Sequence, residues 1–118
     1  MSRTRAEAFD DLVLDAVEEI EAMVQDEPAL LARLVAVELA VEDVPPPAAL
    51  EQAATGADLP LGRTEPGSRD RAARVVVYRR PLELRAGDAQ DRGQLVHDVI
   101  VEQLAELLEV PVERLDPE

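Results

Sequence analysis

One stretch limits what this chain can fold into: Asp91 to Val110, DRGQLVHDVIVEQLAELLEV. Each residue on an α-helix advances by about 100°. On that wheel Val96, Val99, Ile100, Val101, Leu104, Ala105, Leu107, Leu108 and Val110 cover most of the circumference. Asp98, Glu102, Glu106 and Glu109 share the narrow sector that remains. A helix that is apolar nearly all round belongs inside a protein. The stretch therefore predicts a central, mostly buried helix with one acidic stripe opening to water or to a cleft. Asp98–Glu102 and Glu102–Glu106 are like-charged i,i+4 pairs, each unfavourable by roughly 0.2–0.5 kcal/mol on an isolated helix. No Lys or Arg offsets them at that spacing. The stripe is either a solvated face or a site.

Such a helix needs partners to bury it. Thr4 followed by Glu7 is a capping-box pattern. Phe9, Leu12, Val13, Ala16, Val17, Ile20 and Val24 then recur at helical spacing, predicting an amphipathic helix to about Gln25. Its polar face, which includes Asp15, Glu18 and Glu19, reads as solvated. Pro28 restarts one or two helical turns to Arg33. Leu34 to Glu42 predicts a strand, with Val35, Val37, Leu39 and Val41 on one face and Glu38 and Glu42 on the other. The DVPPP run at Asp43–Pro47 ends it. Ala48 to Ala54 reads as a short helix. Residues 55–73, rich in Gly, Pro, Arg and Asp, read as a mobile loop with at most a short strand around Leu59–Leu61. Arg74 to Arg80 is a second strand, stopped by Pro81. Leu82–Leu84 reads as an edge or a turn of helix, and Asp88 or Asp91 caps the central helix. Pro111–Leu115 makes a last turn, with Asp116 to Glu118 as tail. The whole predicts a single domain over residues 1–118: α/β or α+β, with a small mixed sheet of few strands packed against two main helices.

Composition narrows the function classes. Phe9 and Tyr78 are the only aromatics, so the core is aliphatic. The formal net charge of −14 disfavours nucleic acid and anionic membrane, which are bound through Lys/Arg patches. The absence of Cys excludes disulfides and thiolate metal sites. The single His excludes a zinc site of two or three His within one chain. Neither an apolar leader nor a run of transmembrane length is present, so the expectation is a cytoplasmic protein.

In order and spacing, VELAVEDVPPP, then RVVVYRRPLE, then LVHDVIVEQLAELLEVPVERL resemble the short zincin-like metallopeptidase family of bacteria, whose members are minimal single domains. The resemblance covers most of the chain, from the first helix to Leu115. In that family the last helix carries His-Glu-x-x-His: the two His bind zinc from one face and the Glu activates the metal-bound water. An ungapped alignment puts Glu102-Gln103-Leu104-Ala105-Glu106 on this motif. The resemblance thus implies vestigial ligand positions at Glu102 and Glu106 and a vestigial general-base position at Gln103. An acidic third ligand tends to follow the helix in such proteins; here the region is Val112-Glu113. The family's small residue after the helix is Glu109.

Three readings follow. The first is a non-catalytic zincin-like domain, without zinc or another cofactor and without peptide hydrolysis, acting as a binding module for a protein or peptide. The second is a hard-cation site for Ca²⁺, Mg²⁺ or Mn²⁺ on Asp98, Glu102 and Glu106, with Glu109 or Glu113 as further ligands; a cation there relieves the like-charge repulsion. The third is a peptidase with an atypical site, using Glu102 and Glu106 as an acid–base pair. His97 lies outside the carboxylate sector. It reads as a lone ligand or pH switch, or as a partly buried, hydrogen-bonded side chain. A small sheet with open edges leaves self-association possible and the oligomeric state open.

Overall fold

A computed structural model describes residues 3–54 and 59–117. The first helix, α1 (Arg5–Met23), begins where the capping box predicts. Thr4 Oγ1 accepts from the Glu7 N–H at 3.0 Å, and the Glu7 carboxylate accepts from the Thr4 N–H at 3.0 Å. That second bond holds the Glu7 carboxyl below the usual carboxylate range. Phe9, Val13, Ala16 and Ile20 form its buried face. Next comes α2 (Pro28–Val35), with Pro at its start and Leu30 and Leu34 buried one turn apart.

The following strand, β1, spans only Glu38–Glu42. The expected strand from Leu34 is therefore too long: Leu34 and Val35 complete α2. The partner strand explains the limit, since it offers five residues, Arg74 to Tyr78, opposite Glu38 to Glu42. The expected alternation holds within β1. Leu39 and Val41 pack on the core, and Glu38 is exposed.

Helix α3 (Pro47–Ala54) follows. The segment read as loop then holds strand β2 (Gly62–Glu65), antiparallel to β3 (Arg74–Tyr78). Residues 55–58 of that segment lie outside the described residues. Gly-Arg-Thr-Glu has no apolar alternation, so β2 gives no strand signal. Its pairing with β3 and the ion pairs of Arg63 hold it in place. The sheet has three strands in the order β1-β3-β2, parallel between β1 and β3. Central β3 turns Val75 and Val77 to the helices.

Strand β3 runs straight into α4 (Arg79–Arg85), where Pro81 sits in the first turn, a position that needs no intrahelical N–H. The central helix is α5 (Ala89–Leu108). Asp88 caps it, its Oδ1 accepting from the Asp91 N–H at 2.8 Å. Val96, Val99, Ile100, Val101, Leu104, Ala105 and Leu108 are buried while Glu102 and Glu106 are exposed, as the wheel predicts. It packs against α1 on one flank and against β2 and β3 on another. The helix ends at Glu109, which adopts the left-handed conformation at φ 57°. There the Val110 N–H donates to the Ala105 carbonyl at 3.0 Å, the closing bond of a Schellman turn. Arg33 Nη2 donates to the Leu108 carbonyl at 2.5 Å, placing a cation on the negative end of the helix. A last turn, α6 (Val112–Leu115), seats Leu115 in the core. Among the described residues no helix is long and apolar enough to cross a membrane.

Candidate functional site

Two flanks of α5 hold the residues singled out from the sequence. On the strand-facing flank, Gln103 is half-buried and lies against β2: a Cβ built on Gly62 would stand 3.5 Å from Gln103 Cγ and from Val99 Cγ1. Glu102 and Glu106 point to water. Neither makes an ion pair within 4.0 Å among the described residues. Asp98, at the head of the stripe, accepts a hydrogen bond from Gln94 Nε2 at 2.8 Å. Glu109 is exposed in its left-handed turn, and Val112 and Glu113 are exposed on α6.

The opposite flank faces α1 across a groove of about 850 Å³, lined by residues that include Asp15, Glu19, His97, Asp98 and Asp116. Neither Glu102 nor Glu106 lines it. His97 follows from the wheel: its position near the apolar side turns it toward α1, and its side chain is 16% exposed. Among the described residues, however, the expected hydrogen bond is absent: Nδ1 is fully buried with no hydrogen-bond partner. The nearest carboxylate oxygens are those of Glu19, 3.6 Å from Nε2, and of Asp98 and Asp116, 3.6 and 3.9 Å from Nδ1. These separations exceed a normal N–H···O bond of about 2.7–3.2 Å. Among the described residues, His97, Asp98 and Asp116 are the one trio of potential metal-ligating side chains whose atoms lie within 4.8 Å of one another. Sequence reasoning left Glu19 on a solvated face and Asp116 in a tail. No periodicity could have joined them to His97.

A third cluster covers the outer face of the sheet, where the sequence showed no motif. Arg63 on β2 donates to both oxygens of Glu42 on β1, at 3.0 and 3.1 Å, and to the Tyr78 hydroxyl on β3, at 2.6 Å. Its Nε and Nη2 reach Glu65 at 3.0 and 2.6 Å. The guanidinium also lies over the Tyr78 ring, 5.7 Å from its centroid. The Arg63 hydrogen bonds hold the Glu42 carboxyl below the usual range, and the bonds to Glu42 and Tyr78 push the guanidinium further above its own. This bidentate cluster ties all three strands together.

The model of the zincin-like metallopeptidases matches residues 34–118, most of the chain. The chain belongs to that family. The zincin-like match takes in every strand and the whole of α5, but begins after α1, later than the resemblance suggested. The helix that supplies Glu19 to the groove therefore lies outside the matched region. No curated protein and no solved structure gives a significant match.

Proposed function

We propose that this chain is a non-catalytic zincin-like domain that keeps the family's fold, lacks its zinc-dependent peptide hydrolysis, and serves as a binding module for a protein or peptide. The reading is carried by the content of three positions on α5: Glu102, Gln103 and Glu106 stand where the family's mechanism uses two imidazoles and a carboxylate base. The Gln103 amide cannot take up a proton near pH 7. Glu102 and Glu106 are exposed carboxylates that belong to no converging trio among the described residues. That donor set does not fit a zinc ion, which takes three protein ligands in a catalytic site. Their exposure also disfavours an acid–base pair of the aspartic-protease kind, which needs a shielded cleft. No hydrolytic step can be derived through these residues.

The test is hydrolysis of a quenched fluorogenic peptide library and of unfolded casein by the full chain, with and without added Zn²⁺. The expected result is no cleavage above a buffer control. Cleavage that disappears in Gln103→Ala or Glu102→Gln would overturn the reading.

A further inference from the structure

The groove between α1 and α5 holds a feature that the family reading does not use. His97 is the only His of the chain, and three carboxylates surround it, on α1, on α5 and after α6. We propose that His97, Asp98 and Asp116 bind a first-row divalent transition metal through Nδ1 and one oxygen of each Asp, with Glu19 of α1 facing Nε2. This site lies on the flank of α5 away from Gln103 and requires none of Glu102, Gln103 and Glu106.

Distances decide between a proton and a metal. Glu19 faces the other ring nitrogen, Nε2, at 3.6 Å. Nδ1 faces one oxygen each of Asp98 and Asp116, and three such potential ligand atoms lie within 4.8 Å of one another. A proton on Nδ1 does not bridge them, because 3.6 and 3.9 Å are too long for a hydrogen bond. Ligands about 2.1 Å from a tetrahedral Zn²⁺ stand roughly 3.4 Å apart, close to the spacing found here. An imidazole paired with a second carboxylate through its other nitrogen is the usual outer-shell arrangement of a metal-bound His. The buried Nδ1 without a hydrogen bond is a second observation independent of the carboxylates: a buried ring nitrogen left without one carries a desolvation cost that a metal bond removes. One nitrogen and two oxygens select Zn²⁺, Co²⁺ or Mn²⁺ over Ca²⁺, which takes six to eight oxygens. The groove leaves room for water to complete the coordination.

The chelator-stripped full chain, titrated with Zn²⁺, Co²⁺ and Mg²⁺ by calorimetry and thermal melting, tests this. One equivalent of Zn²⁺ or Co²⁺ should bind, Mg²⁺ should not, and Co²⁺ should develop visible ligand-field bands. At free metal about 100 times Kd the melt should rise by roughly 10 °C. His97→Asn should abolish the Co²⁺ bands, and Glu19→Gln should weaken binding about 10-fold or more. Asp116→Asn, at a partly buried position after α6 and outside the hydrophobic core, should also weaken binding and guards against a His97 variant that fails to fold. Glu102→Gln with Glu106→Gln should leave binding unchanged. Absence of stoichiometric binding, or binding indifferent to His97→Asn and Asp116→Asn, would overturn the site. Binding lost only in the Glu102/Glu106 variant would overturn it too, and would reopen the acidic stripe. Peptide cleavage is a separate readout, so failure of this site leaves the non-catalytic reading standing, and the reverse.

Discussion

The two flanks of α5 are built from the same helix and differ in what is packed on them. On the strand side, the neighbour is β2: a Cβ on Gly62 would stand 3.5 Å from Gln103 Cγ and Val99 Cγ1 of α5, and only 2.8 Å from the Val76 carbonyl oxygen of the adjacent strand β3. On the α1 side, the neighbours are side chains, and a groove of about 850 Å³ remains between the helices. Gly93 lies on that side, where a Cβ would meet Leu12 Cδ2 at an ordinary 3.6 Å. A helix face presents chemistry only where its neighbour leaves space and supplies further ligands. The strand flank holds Gln103 against β2 and no converging ligands among the described residues. The α1 flank has an imidazole, three carboxylates and room.

The two glycines test this difference directly. Gly62→Ala should destabilise by about 1–3 kcal/mol, because the clash is with backbone that cannot rotate away. A chemical-denaturation midpoint unchanged from the parent would mean that β2 is not held tightly against β3 and α5. Where α5 ends, below both flanks, Glu109→Gly should stabilise by about 1 kcal/mol. The left-handed conformation at φ 57° strains a side chain and suits glycine. A lowered thermal midpoint would show that the Glu109 side chain offsets this strain. Gly93→Ala should stabilise by roughly 0.5–1 kcal/mol, since a helix interior favours Ala over Gly and the space exists. The sign is the point: Gly→Ala should destabilise in the sheet that covers one side of α5 and stabilise on α5 itself where it faces α1.

Much of this architecture is legible in the sequence because periodicity reports burial. The Thr4–Glu7 cap, the apolar face of α1 and the near-complete apolar circumference of α5 each imply their partners. In β1, Leu39 and Val41 alternate with polar or small residues as in a half-buried strand, while the unbroken Val75–Val77 run of β3 marks a strand buried on both faces. Strand β2 is illegible for a physical reason: Gly62, Arg63, Thr64 and Glu65 contribute no hydrophobic pattern, and the strand exists through pairing with β3 and the reach of Arg63 to Glu42. The α2–β1 boundary is blurred because a Val-rich run suits either element until a partner of fixed length selects one. At the candidate metal site, the wheel puts His97 correctly toward the packed side. It assigns Asp98 to the stripe with Glu102 and Glu106, whereas the chain end brings Asp116 beside Asp98 instead. A wheel shows where a residue points and not what arrives there.

The Arg63 cluster sets how firmly β2, and with it the strand flank, is held, and acid should loosen it. The hydrogen bond from Arg63 places the Glu42 carboxyl below its ordinary value of about 4.3. A group whose folded value is depressed contributes stability that is present above its unfolded value and is lost as pH falls through the folded one. Stability should therefore fall on acidification below about pH 4.3, and the part due to Glu42 should vanish in Arg63→Gln. The comparison is the change in denaturation midpoint between neutral pH and pH 3 for parent and variant: the parent should lose more. Glu42 is 40% exposed, so solvent and salt screen the pair and the difference should be small and should shrink further at high ionic strength. Equal acid losses in the two proteins would mean that Arg63 holds the three strands by geometry and by its contact with Tyr78, and not by the charge on Glu42.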